Sequence, residues 1–380
     1  MADYKIKTNK KHGGKEFTSN FHFIGKVKHI KEKDKNTDSW EPIPFFSWED
    51  EGKKKVFQFI IETAMSNELK TKITGKEKPK VYPYSRKHNS SVPIDWADRY
   101  DKSKYPDDTY HLIDPEWDRI EKFKNIVEDG KWVEVKGKYT PYEFTTEEGQ
   151  TIKGVSRTIS FVNPIVDGKV VIDDKPQDIK VNGKVINYIC DFNSPDFVEV
   201  NHFSMQIGIN STYQNEETKN TIINAVVLTN GVERSEPKDV TLEVFQTEVV
   251  EGKKTLADAF ASLNTYDFIE VTGQDNNRAT FAYVDVEEII ASDDPFADVD
   301  DTQRVTRQER VTNGDKKGLE ITSYVGNSLM RDLLTEDEFK KTASVTSNNP
   351  FGANTNKNVD DPFDPSNFPS AGTKDEDPFA

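Results

Sequence analysis

The sequence predicts an all-β protein: two successive five-stranded units, each carrying one short helix, then a disordered acidic tail. Three observations predict it. Short segments with period-two alternation recur from residue 17 to residue 288. A helical stripe interrupts them twice, at the same place in the order. After residue 291 the composition turns to Ser, Asn, Asp and Pro without apolar periodicity.

In the first unit, residues 17–30 alternate, with Phe21, Phe23 and Val27 on one face and His22, Lys26 and Lys28 on the other. Residues 55–63 and 67–74 read as the second and third strands, with Leu69 and Ile73 inward and Lys70 and Lys72 outward. Residues 75–113 read as a long irregular insert. Asp114 then serves as N-cap with Pro115 at the first helical position, and Trp117, Ile120, Phe123 and Val127 form the apolar stripe. Strands at 132–144 and 151–164 follow, joined by a turn at 147–149. Three strands, a helix and two strands is the order of an OB fold, in which the helix plugs a barrel between strands three and four.

The order repeats, with strands at 202–211, 221–229 and 240–246, a helix at 254–263, and strands at 266–274 and 278–288. WVEVKGKY (132–139) and FIEVTGQD (268–275) each follow a helix, which points to duplication. The expected organisation is a flexible basic arm (1–16), a first OB-fold (17–165) with the long insert, a connector with a small hairpin (166–199), a second OB-fold (200–290), and a mostly disordered acidic tail (291–380).

Charged residues make up 31% and hydrophobic ones 34%, too polar for one large packed globule. No apolar run reaches the ~18 residues of a membrane span, and residues 1–14 hold no apolar signal core. A single cysteine, Cys190, excludes a disulfide framework and a Cys-type zinc site, so a reducing cytoplasm is expected, that of the host if the chain is phage-encoded. Net charge is −16 but unevenly spread. Residues 1–90 carry 20 Lys and Arg against 12 Asp and Glu, net +8. Residues 166–290 carry 10 against 22, net −12, and residues 291–380 carry 10 against 18, net −8. A basic head on an acidic body predicts an anionic ligand at one end. No phosphate-loop, zinc-protease or nucleophile-elbow motif occurs, so no enzyme activity, cofactor, metal or small-molecule substrate is expected.

Alternation places Lys26, Lys28, Lys70, Lys72, Trp132, Lys136 and Lys138 on the outside of the first barrel. Cations for phosphates beside rings for bases are what single-stranded nucleic acid requires. The insert repeats the mixture: Tyr82, Tyr84, Trp96 and Tyr100 interleave with Arg86, Lys87 and other cations, and Trp40 and Trp48 extend the groove from the preceding loop. In the tail, Asp/Asn-Pro-Phe occurs four times, ending at Phe296, Phe351, Phe363 and Phe379. Such a peptide offers one ring to a pocket and its acids to a basic rim.

Gly130, Val133, Val135 and Gly137 form a Gly-x-x-Val-x-Val-x-Gly run, with Glu148-Gly149 at a hairpin tip and Tyr139 and Tyr142 between. This run resembles the fourth and fifth strands of bacterial and phage single-stranded DNA-binding proteins, and the chain resembles their plan of OB fold, linker and acidic Pro-Phe tail, with the barrel doubled. The resemblance implies sequence-independent binding of single-stranded DNA in replication, recombination or repair. It also implies recruitment of replication or recombination proteins through Asp375, Glu376, Asp377, Pro378 and Phe379. Two features depart from that family: Ala380 follows the last Phe, and Glu243 and Glu270 of the second barrel stand where the first has lysines. A second reading, a scaffold or adaptor that binds partner domains through its Asn-Pro-Phe and Asp-Pro-Phe peptides, leaves the basic aromatic barrel unexplained. A third is a nuclease or recombination enzyme with an accessory OB domain.

Overall fold

The computed structural model describes residues 4, 6–9, 11–33, 39–146, 149–181, 183–250, 252–289 and 304–341. The first barrel is built from β1 (Ser19–Lys28), β2 (Lys54–Ala64), β3 (Asn67–Lys76), the helix α1 (Glu116–Lys124), β4 (Trp132–Thr145) and β5 (Thr151–Val166). β1 pairs antiparallel with β2 (Val27↔Ile61) and β4 (Phe23↔Val135), β2 with β3 (Phe57↔Ile73), and β4 with β5 (Val135↔Val162). One parallel contact, Thr158↔Lys72, brings β5 to β3. The closed order 1-2-3-5-4-1 is that of an OB fold. Phe23, Phe57, Phe59, Leu69 and Ile73 fill the barrel, and α1 plugs it with Ile120 and Phe123. Pro115 itself occupies the N-cap position, and Asp114 instead takes the ammonium of Lys122 at 2.5 Å.

The second barrel repeats the scheme with β6 (Val200–Gln214), β7 (Thr221–Asn230), β8 (Ser235–Val244), α2 (Leu256–Ala261), β9 (Phe268–Ile289) and β10 (Arg304–Tyr324). β6 pairs with β7 and β9, β7 with β8, and β9 with β10, while β8 and β10 meet in parallel at Leu242↔Leu319. Here the strands differ from expectation. The strands expected at 266–274 and 278–288 form one strand, β9, which begins at Phe268, and the strand that closes the barrel lies at 304–324, within the region expected to be tail. Between those two expected segments, partners inside the fold satisfy Asp275 and Asn277: the amide of Asn201 bonds the Asp275 carbonyl at 2.9 Å, and the Asn67 side chain accepts the Asn277 N–H at 2.8 Å. Of β10, Leu319 and Ile321 reach the core. Residues 325–341 then lie back on the second barrel, where Leu334 packs onto Gly208. A Cβ at Gly208 would sit 2.2 Å from its methyl carbon.

Three other segments are more ordered than the sequence suggests. The basic arm forms a hairpin, Lys7–Thr8 with Lys15–Glu16. The insert is a small folded unit of two-residue strands around Val81, Ile94, Tyr105 and Tyr110. It is tied to α1 by Arg99, whose guanidinium grips Asp118 at 2.8 and 2.9 Å. The connector holds two hairpins, Lys169–Ile172 with Lys175–Gln177 and Ile179–Val181 with Lys184–Ile186, that cover Ile24 of β1 and Val200 of β6. The expected disordered stretches 292–301 and 342–380 lie outside the described residues.

The two barrels are one body. Ser19–Ile24 of β1 pairs antiparallel with Val200–Met205 of β6, and a single apolar cluster runs through both interiors. Asp275 of β9, wholly buried, receives Arg157 of β5 through two bonds of 2.6 Å and the Tyr139 hydroxyl of β4 at 2.7 Å. Removing one member of such a pair strands the other, at a cost of about 3–5 kcal/mol. Asp275→Ala is therefore expected to destabilise the whole chain by about that much while leaving one unfolding transition in urea. Two separate transitions in the unmodified protein would show that the barrels fold independently.

Candidate nucleic-acid interface

Strand alternation sets the cations on the outer face of the first barrel. Lys28, Ile60 and Lys70 form one transverse row across β1, β2 and β3, with Gln58 and Lys72 in the next. Lys28 is bracketed by Glu62 at 2.8 Å and Glu68 at 2.7 Å. Burial works against its charge, but these two carboxylates prevail and raise its pKa. Lys72 is half-buried, and desolvation lowers its pKa. Lys26 and Lys70 have no carboxylate partner among the described residues.

On β4, Lys136 and Lys138 point outward as expected. Lys136 lies 2.7 Å from Glu134, a carboxylate with almost no exposure that also meets His22 at 2.9 Å and Asn163 at 3.0 Å. Burial would raise the pKa of Glu134, but the hydrogen bonds from His22, Lys136 and Asn163 bring it down to about 2. Lys138 is exposed and has no such partner among the described residues.

The rings divide. Trp132, expected to project freely from β4, is half-buried beneath the connector, with Phe192 at 4.7 Å and Tyr188 at 5.8 Å between centroids. The covering residues lie about 60 positions further along the chain, so local alternation could not reveal them. Trp48 is half-exposed but leans on Trp117 of α1, and the Lys55 ammonium sits over both rings. It therefore belongs to the helix-plugged end of the barrel. Trp40 is exposed on the short strand Trp40–Pro42. In the insert, Tyr82 and Tyr84 are exposed beside the exposed Arg86 and Lys87, and the Tyr84 hydroxyl donates to Asn89. Trp96 and Tyr100 instead clasp the Arg99 guanidinium at 4.2 and 5.1 Å. Tyr142 is half-buried and packs over Gly154 near the tip of the β4–β5 hairpin. Asp375, Glu376, Asp377, Pro378, Phe379, Phe363, Phe351 and Phe296 lie outside the described residues.

One exposed ring escaped the sequence reading. Phe161 of β5 is 57% exposed and faces Lys136 across the ladder. Strict alternation from the buried Ile159 would turn it inward. A β-bulge opposite Lys136 and Gly137 inserts Ser160, so that Ile159 and Val162 both face the core and Phe161 faces out. At Gly137 a Cβ would sit 2.2 Å from the Thr158 carbonyl oxygen, so glycine lets the bulged strands close.

The same face of the second barrel is acidic and partly covered. Asp239 of β8 is held by Lys153 of β5 at 2.6 Å and by Lys341 at 3.0 Å. Glu243 takes a bond from Asn220, and Glu270 accepts bonds from the Tyr4 and Ser204 hydroxyls.

No family model matches this chain, and no curated protein matches it. Among solved structures, it is similar to a deletion variant of the single-stranded DNA-binding protein from Thermus aquaticus. The identity is 10% and the TM-score 0.32, over 69% of this chain and 88% of that one.

Two predictions follow from these placements. A carboxyl whose folded pKa lies below its unfolded value stabilises above the unfolded value and loses that stabilisation as pH falls through the folded one. Glu134 should thus contribute fully above pH ~4.5 and progressively less toward pH 2. The stability difference between the unmodified protein and Glu134→Gln, from urea melts at pH 6, 4 and 3, should shrink across that window; a constant difference would contradict the assignment. Trp132→Ala should cost about 2 kcal/mol, less than the ~3–5 of a fully buried ring, because the half-buried side chain gives up only part of that contact. An unchanged melting temperature would show that the connector does not hold it.

Proposed function

We propose that this chain is a non-catalytic single-stranded DNA-binding protein that uses the first barrel as its main binding surface and the tail to recruit partners. The observation that carries this reading is the pairing of two features on one OB-type barrel. Its outer face and insert present cations with no carboxylate partner among the described residues, namely Lys26, Lys70, Lys138, Arg86 and Lys87. The same elements present exposed rings, among them Tyr82, Tyr84 and Trp40. Single strands need both, because phosphates take the cations and unpaired bases take the rings at about 1–3 kcal/mol each. Duplex DNA hides its base faces and gains only the cations. The acidic, partly covered face of the second barrel supports a mainly structural role there.

The tail completes the proposal. Asp375, Glu376, Asp377, Pro378 and Phe379 form an acidic segment with one ring, suited to a basic-rimmed pocket on a replication, recombination or repair protein in a reducing cytoplasm. An adaptor that works through the Pro-Phe peptides alone would leave without a role the cations that have no carboxylate partner among the described residues.

Because the barrels share one core, point variants of the full chain test this better than fragments. Fluorescence anisotropy should show single strands bound far more tightly than duplex, with log K falling by about 0.7 per neutralised phosphate as log salt rises. Tyr84→Ala should weaken single-strand binding by about 1–3 kcal/mol with an unchanged melting temperature. Equal affinity for duplex and single strand would end the proposal. Phe379→Ala should weaken partner capture while leaving DNA affinity near normal, since no charge changes; if Phe296, Phe351 and Phe363 substitute for it, only the combined variant will show the loss.

A further inference from the structure

A groove of about 360 Å3 lies on the outer surface of the seam where β1 pairs with β6. Asn20 of β1 with His202 and Ser204 of β6 line the seam, Lys136 and Lys138 of β4 stand beside it, and Phe161 of β5 forms the far wall. Neither barrel alone could build it, since the lining comes from both. The connector covers the neighbouring layer at Ile24 and Val200 and stops short of the groove.

Each side of the groove offers a distinct chemistry. Phe161 is more exposed than buried and makes no ring contact among the described residues, so its face is open to a planar partner. The Lys138 ammonium has no carboxylate partner there, and the Asn20 amide makes no side-chain hydrogen bond among the described residues. Lys136 is held against the buried Glu134, which fixes that wall rather than leaving it to move. Burial lowers the pKa of His202, so its imidazole is neutral near pH 7 and can donate or accept a bond. A flat ring, a free cation and an amide around one small concavity match the three parts of a nucleotide. The volume sits at the low end of the ~300–1,000 Å3 of small-ligand sites, which suits one unit of a flexible strand and not a duplex.

We infer that the seam groove is a nucleotide subsite for single-stranded DNA, with a base stacked on Phe161, its phosphate on Lys138 and its polar edge at Asn20. The inference rests on the single-strand reading above and adds a contact that spans the two barrels. The strand bound by the first barrel thereby runs onto the junction, and the second barrel takes part through His202 and Ser204.

The test uses full-length protein and a fluorescent oligothymidylate, with Phe161→Ala, Phe161→Tyr and Lys138→Gln compared by anisotropy. Phe161→Ala should weaken binding by about 5- to 100-fold at an unchanged melting temperature, and Phe161→Tyr should restore it to within about 2-fold, as a stacking ring requires. Lys138→Gln should reduce the salt slope by about 0.7. An oligonucleotide carrying 5-iododeoxyuridine should photocrosslink to the peptide that contains Phe161. If the unmodified protein fails to bind the oligonucleotide, the single-strand reading itself falls, and this subsite with it. If the unmodified protein binds, but Phe161→Ala binds equally well and the crosslink maps elsewhere, the subsite alone is overturned. A groove protected by a synthetic peptide of residues 372–380, with no oligonucleotide crosslink, would overturn it as well and give the site to a protein segment.

Discussion

The structure depends on a buried charge shared between barrels. Asp275 belongs to β9, yet its carboxylate is satisfied entirely from the first barrel, by the two-pronged guanidinium of Arg157 and the hydroxyl of Tyr139. A carboxylate without exposure needs that matched geometry, because desolvation is repaid only when its lone pairs are met. Separating the barrels would leave a bare anion on one side and a half-covered cation on the other. The backbone pairing of β1 with β6 and the continuous apolar cluster act in the same direction. The two OB folds therefore behave as a single platform rather than as beads on a linker, and the distance between their surfaces is fixed before any ligand arrives.

That fixed relation accounts for a difference between the two barrels. In the first barrel the outer face of β1 to β3 carries half-buried lysines, of which Lys26 and Lys70 have no carboxylate partner among the described residues. In the second, the corresponding face is taken up by the first: Lys153 reaches from β5 to Asp239 on β8, and Lys341 braces the same carboxylate. The acidic character of the second barrel is thus partly an internal matter, since its carboxylates meet cations of the same chain. The pairing of the barrels gives rigidity and the seam, and the Lys153–Asp239 contact occupies part of the second barrel's surface.

How much of this the sequence shows depends on the range of the interaction concerned. Phe21, Phe23, Leu69 and Ile73 face the core as alternation predicts, because alternation is a local, two-residue rule. The barrel order emerged because each strand and helix is long enough to show its period. Where elements are shorter than the period, as in the two-residue strands of the insert, the pattern vanishes and only its composition remains. β10 was hidden for another reason: Leu319 and Ile321 are its described core contacts, so its polar composition resembles a tail. Trp132 and Phe161 exchanged roles through events that alternation does not encode, a cover supplied by the distant connector and a bulge that inverts the parity of β5.

A net charge of −16 remains compatible with binding an anion, because the charges are screened and sorted. At physiological salt a charge is felt over about 8 Å, so the acids of the second barrel weigh little on the far side of the first. On the outer face of the first barrel, Lys28 already has Glu62 and Glu68, and Lys76 has Asp50. An exposed pair such as Lys76–Asp50 contributes only about 0–1 kcal/mol, and a phosphate that displaces any of these carboxylates must tolerate it nearby. Such exchanges come close to balancing. The net electrostatic gain must therefore come from cations with no carboxylate to lose, such as Lys26, Lys70 and Lys138. All three lie on the first barrel, and Lys138 also lines the seam groove, so under the proposed function a phosphate backbone would gain most along these positions.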